Sequence, residues 1–211
     1  LPYEVRAGES IVKTVSMADS SRPALRKAMV LTVLAEPPPD GGATVFRPPY
    51  FGDEKPFYRT TDLKPEVLPS VSREGVAKVP PLDWLQKAFG PVQLDHKRGW
   101  SGRAMHPEEH MPDYGSGVCA RIGAGALRLM LDDPLAEKKQ AMIPFIQMGI
   151  DMYHMQLGGL TYGPDGGHNH GRKLPVAFAG LVLGHEGMQD WVREHANRIY
   201  HEDLSVYYSP T

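Results

Sequence analysis

Between residues 162 and 173 the chain reads Tyr-Gly-Pro-Asp-Gly-Gly-His-Asn-His-Gly-Arg-Lys. The imidazoles of His168 and His170 can give or take protons near neutrality, since an unperturbed histidine titrates at about pH 6.5. Arg172 and Lys173 can hold an anion, Asn169 can both donate and accept hydrogen bonds, and Tyr162 offers a phenol. Gly163, Gly166, Gly167 and Gly171 allow the backbone to approach a ligand closely. This exceeds what a connection between two helices needs, and it points to a site for a polar ligand. The letters His-Asn-His do not make a nuclease of the HNH type, because the ββα metal motif that name describes is absent.

A second polar cluster runs from Asp95 to Tyr114 and contains His106, Pro107, Glu108, Glu109, His110 and Asp113. Two histidines four apart resemble half of a metalloprotease helix, but Pro107 breaks the helix and no glutamate stands beside the first histidine in the required order. Catalytic zinc is therefore not expected. No resident cofactor is expected either, and a structural divalent metal held by His106, His110 and Asp113 is the only metal role these residues suggest. Trp100 and Tyr114 present flat apolar faces beside charged groups, on which a sugar ring can stack. Of the other histidines, His154 follows Tyr153 on an apolar helix and can point either at the glycine loop or into the helix packing. His185, His195 and His201 fall at helix ends, where no role is expected of them.

The elements that position these groups divide the chain. Most of the 20 prolines lie in the first hundred residues, and Pro37-Pro38-Pro39, Pro48-Pro49 and Pro80-Pro81 forbid long helices there. Ser10 to Ser16 alternates as a strand, Ala28 to Ala35 reads as a buried strand, and Asp40-Gly-Gly42 turns into a third at Thr44 to Phe46. The segment from Arg47 to Ser72 reads as extended chain that wraps a surface, with a short helix at 82–89. From 117 onward helices are expected at 118–131, at 135–157 with a kink at Pro144, at 174–183 and at 186–200, forming antiparallel hairpins. Leu204 to Tyr208 is expected to return as a strand. The expected fold class is α+β: a proline-punctuated, β-rich segment over 1–94, a junction over 95–116, and a helical-hairpin domain over 117–211.

Composition narrows the partners. With 211 residues, 41% apolar content and a formal charge of −2, the chain has a core but no basic patch for nucleic acid. No apolar run approaches the roughly 18 residues that span a bilayer. Cys119 stands alone, which rules out an intrachain disulfide and suggests a small core residue. The chain opens at Leu1, as a processed chain would. No Gly-x-Ser-x-Gly elbow, P-loop or dinucleotide fingerprint is present.

The runs Gly149-Ile-Asp-Met-Tyr153, Gly166-Gly-His-Asn-His-Gly-Arg-Lys-Leu-Pro175 and Phe178-Ala-Gly-Leu-Val-Leu183 resemble helical-hairpin segments of bacterial α/α-toroid polysaccharide-degrading proteins, many of which are lyases. The likeness spans about residues 95–208 and supplies about two of a toroid's roughly six hairpins. It implies a partial α/α-toroid-like arrangement and a polysaccharide partner. It further implies a secreted, periplasmic or cell-surface protein that cleaves a uronic-acid glycan by β-elimination. In that chemistry a carboxylate is neutralised, a base removes the C5 proton and an acid protonates the leaving oxygen. Arg172 with Lys173 or Asn169 would hold the carboxylate, His168 or His170 would be the base, and Tyr162 or Tyr153 the acid. His154, Trp100, His106 and Tyr114 would complete the substrate site. A glycoside hydrolase would need paired carboxylates, and Asp151, Asp165, Asp113 and Glu109 show no recognisable pairing.

The competing expectation is a non-catalytic carbohydrate-binding or structural protein of a surface, filament or phage assembly, oligomeric and using residues 36–72 as an arm. Under the lyase reading, removing the side chain of His170 or Arg172 is expected to spare stability to within about 1 kcal/mol.

Overall fold

A computed structural model describes residues 3–19, 22–97, 100–163, 165–195 and 199–204. The chain is of mixed α+β class. An antiparallel hairpin pairs β1 (Ser10–Ser16) with β2 (Leu25–Thr32), in a register that sets Val12 opposite Val30 and Thr14 opposite Ala28. Strand side chains alternate between faces, so Ala28 and Val30 pack on the body while Val15, Met29 and Leu31 face outward. The expected third strand at Thr44 to Phe46 does not form. Only a single bridge joins Val45 to Arg59, because the following Pro48-Pro49 cannot donate to a ladder.

Helices follow: α1 (Asp83–Phe89), α2 (Gly115–Leu129), α3 (Leu135–Ala141), α4 (Ile143–Leu157), α5 (Lys173–Leu183), α6 (Glu186–Glu194) and the single turn α7 (His201–Leu204). The apolar stripe Val118, Ile122, Ala126 and Leu129 places α2 on the core. The single helix expected over 135–157 is two, divided at Met142, because Pro144 cannot donate to an upstream carbonyl and is accommodated only in a first turn. Helix α4 is buried on nearly every side and packs against α5, which packs in turn against α6. Phe145 links the layers edge-on, 5.0 Å from Phe89 and 4.9 Å from Phe178 between ring centres. Gly149 brings α4 onto α5, since a Cβ there would sit 2.2 Å from the Pro175 carbonyl oxygen. The helix expected over 186–200 is α6 and ends at Glu194, and the strand expected at Leu204 to Tyr208 lies, beyond Leu204, outside the described residues. No helix among the described residues is long and apolar enough to cross a membrane.

The extended segment wraps its own chain. Phe46, Tyr50, Leu63 and Leu68 are buried, Lys64 N donates to Val182 O and Val71 N to Met130 O, and Arg47 pairs with the buried Asp151. Residues 43–72 thus form an intramolecular strap across the helices. This corrects the expectation of a projecting arm: four large apolar side chains at intervals along the segment gain more by covering α4 and α5 than by remaining in water.

Candidate functional site

The glycine loop and the 95–114 junction do meet, but they meet as a buried network. Arg172 is 2% exposed; its Nε and Nη2 donate to Asp95 at 2.7 and 3.1 Å, and its Nη1 donates to the carbonyls of His168 and His170 at 3.0 and 2.7 Å. Tyr162 is fully buried and donates to Asp95 O at 3.1 Å, and burial raises the pKa of its phenol well above the usual range. His106 Nε2 lies 3.4 Å from the Asp95 carboxylate and its Nδ1 lies 3.2 Å from Pro112 O. Burial alone would raise the Asp95 pKa, but the Arg172 charge and the hydrogen bonds from His106 and Arg172 outweigh it and hold the carboxyl at about 2.

No room for even a water remains between Asp95, His106, Asp113, His168, Asn169 and Arg172. Asn169 Nδ2 is spent on Gly163 O at 2.7 Å. His168 is wedged between Trp100 and Tyr114, with ring centres 5.2 and 4.3 Å away, and Arg103 covers both aromatic rings. The rings of His170 and His201 touch in a tilted arrangement with centres 3.9 Å apart, and Lys173 pairs with Asp203.

The glycines here are structural. Gly171, at φ 89°, sits where a Cβ would meet Cys119 at 2.8 Å, and Gly115 opens α2 against the backbone of His168. Loop and helix therefore touch through their backbones, and the half-buried Cys119 fills that contact. The geometry does not offer Arg172 to a substrate carboxylate, nor Tyr162 to a leaving group. The suggested metal ligands are also separated: His110 Nδ1 lies 2.9 Å from Val92 O and Asp113 is held by Arg103. Among the described residues no group of three or more His, Cys, Asp or Glu side chains is placed to hold a metal ion.

Tyr153 and His154 stand apart from this network. They join Tyr58 of the strap and His185, which sequence reasoning set aside. Tyr58 Oη is 2.8 Å from His154 Nε2, and the Tyr58 ring centre lies 5.9 Å from His154 and 5.5 Å from His185. Tyr153 packs edge-on against His154 at 5.4 Å and against His185 at 5.9 Å. Burial, aided by Lys55 and His185, lowers the His154 pKa to about 4, so the ring is uncharged at neutral pH. Burial also raises the Tyr58 pKa, which keeps the phenol protonated.

His185 caps α6. Its Nδ1 accepts from Met188 N at 3.1 Å, which puts the ring proton on Nε2. The αL Gly184 turns α5 into α6 without a linker, which is why a histidine beside it reaches the strap. Tyr58, Arg59, Asp62, Gly184 and His185 line an open cavity of about 290 Å³. Arg59 is exposed and has no side-chain hydrogen bond or ion pair among the described residues, while Lys64 Nζ sits beside Gly184, 2.8 Å from where a Cβ would lie. The available chemistry is a neutral tyrosine–histidine couple, a second imidazole N–H and a free guanidinium at one opening.

No protein family, curated protein or solved structure matches the chain. What the site does is therefore argued from its groups alone.

Proposed function

We propose that the chain is a carbohydrate-active protein that cleaves a uronic-acid-containing glycan by β-elimination at the opening between the strap and α5–α6. The observation that carries this reading is the 2.8 Å contact of the buried, uncharged His154 with Oη of Tyr58, a residue that lines a cavity together with Arg59 and His185. Arg59 neutralises the uronate carboxylate, which acidifies the C5 proton, and His185 Nε2–H adds a second donor to the developing enolate. Tyr58 Oη takes the C5 proton as it passes its own to the vacant lone pair of His154. The C4–O4 bond breaks, the C4=C5 bond forms, and the proton returns through Tyr58 to O4. Tyr153 Oη, raised in pKa by burial, is a second proton donor within the same aromatic cluster.

In this reading the packed helices α4, α5 and α6 are part of an α/α-toroid-like hairpin layer, and the protein works where such glycans lie, outside the cell or in the periplasm. The test is ultraviolet absorbance of an unsaturated uronate on incubation with uronic-acid polymers. Tyr58→Phe is expected to lower turnover by at least about 10²-fold with little change in KM, the loss expected of a removed proton-transfer group. Turnover unchanged in Tyr58→Phe removes this site from the chemistry.

One observation favours a non-catalytic assembly protein instead. The outer face of the two-stranded hairpin exposes Met29 and Leu31 by 63% and 62%, together with Val15, and no described residue covers it. Self-association in solution that Met29→Lys abolishes, with no glycan product formed by either protein, supports that second reading.

A further inference from the structure

We propose that the opening at Tyr58 is one end of a groove built for a linear heteroglycan, with a uronate beside the histidines and uncharged sugars along the rest. This inference rests on the carbohydrate reading above and specifies its substrate. Three cavities adjoin. The first, of about 290 Å³, shares Phe57 with a second of about 370 Å³, and the second shares Gly8 and Asp53 with a third of about 600 Å³. Strap residues floor all three, and the root of the β1–β2 hairpin bounds the latter two. Gly8, at φ 94°, lets that root touch the strap, since a Cβ there would meet Asp53 O at 2.8 Å. The first two compartments lie at the lower edge of the usual range for a small-ligand site, about 300–1,000 Å³, and the third within it, while their succession suits a chain laid along the strap.

The lining changes along the groove. Aromatic faces recur, with Phe57 between the first two compartments and Phe51 and Tyr3 in the third, and sugar rings stack on such faces. Charge divides the ends. Arg59 and Asp62 line the first compartment and Lys64 stands beside its Gly184, so cations outnumber carboxylates there, whereas Glu36 and Asp53 line the second and Asp53 and Glu9 the third. The one cation in the second compartment, Lys55, turns its ammonium to the carbonyls of Pro49 and Gly52. A polyuronate lying in this groove would set carboxylates against Glu9, Glu36 and Asp53 with only Lys55, already held by two carbonyls, to offset them, and exposed like charges at close range repel. Sugar hydroxyls instead donate to those carboxylates. A chain in which neutral sugars separate the uronates satisfies both ends.

The experiment compares calorimetric binding of oligosaccharides from deacylated gellan, in which neutral sugars separate the uronates, with oligogalacturonates of similar length, each also tested for elimination. Wild type is expected to bind the mixed glycan at least about tenfold more tightly, a difference of about 1.4 kcal/mol. The exposed-site double substitution Glu36→Lys, Asp53→Lys should narrow or reverse that preference, and Phe57→Ala should weaken binding of the longer oligomers more than of a single uronate. Equal or tighter binding of oligogalacturonate by wild type, with elimination product formed, overturns the groove inference and leaves the carbohydrate reading standing. Absence of binding and of product with both glycans overturns both.

Discussion

Replacing Arg172 with alanine should unfold more than it disables. The wild-type guanidinium makes two hydrogen bonds to Asp95 and two to loop carbonyls while 2% exposed, so its removal strands a carboxylate that is 1% exposed. Breaking one side of a buried pair costs about 3–5 kcal/mol. Part of that cost has a ceiling: with the Arg172 charge gone and only His106 left to oppose burial, Asp95 takes up a proton, and protonating a carboxyl of ordinary pKa at pH 7 costs about 4 kcal/mol. The sign of the pH dependence follows. In the wild type the folded pKa of Asp95 is depressed to about 2, so its contribution of about 2–3 kcal/mol is present above pH ~4 and fades as pH falls through about 2. In Arg172→Ala the folded pKa lies above the unfolded one, so the variant gains stability relative to wild type as pH is lowered from about 7 to about 5, by up to ~1.4 kcal/mol per unit. Urea denaturation followed by tryptophan fluorescence at both pH values reads this directly, and Arg172→Lys, which keeps the charge but loses the fork, should fall between. An Arg172→Ala protein within about 1 kcal/mol of wild type at neutral pH, as the sequence alone suggests, would refute the structural role assigned to this arginine.

Two further outcomes are expected. His154 has a folded pKa near 4 against about 6.5 unfolded, so the unfolded chain binds the extra proton and the wild type loses stability as pH falls between those values, by about 3 kcal/mol over the whole interval. In His154→Gln that slope should vanish, and parallel denaturation profiles for the two proteins would contradict the assignment. Gly149→Ala should destabilise by about 1–3 kcal/mol, because the new Cβ would lie 2.2 Å from Pro175 O and 2.7 Å from Ala179 Cβ. Gly123→Ala in α2, where nothing lies within 4 Å, should instead gain about 0.5–1 kcal/mol in helix propensity, so equal thermal shifts in the two variants would refute the packing assigned to Gly149.

What was legible in the sequence is what local periodicity and proline chemistry determine. The stripe of α2, the apolar α4 and α5, the alternating β1 and the break near Pro144 follow from residue spacing and from the missing proline N–H. Which polar groups face solvent does not, because it depends on partners far away in the chain. Asp95 lies 77 residues from Arg172, and nothing local says that the carboxylate neutralising this arginine already exists inside the fold. The glycine loop looked like a site for the same reason that it is well built. Gly171 and Gly115 bring backbones into contact, and the two loop carbonyls left pointing inward at His168 and His170 need a donor, which Arg172 supplies. A loop rich in glycine and buried charge can thus be a closed hydrogen-bond network.

The couple at Tyr58 was hidden because its parts come from different elements. The phenol lies on a proline-stiffened strap, the imidazole of His154 on a buried helix 96 residues later, and His185 at a helix start where capping explained it fully. Burial is what makes these groups chemically available: it keeps His154 uncharged and Tyr58 protonated, whereas the ion pairs at Asp95 consume the charges that the loop seemed to offer. A substrate can be held only by groups whose hydrogen-bonding capacity the fold has not already used, and Arg59 on the strap meets that condition where the buried Arg172 does not.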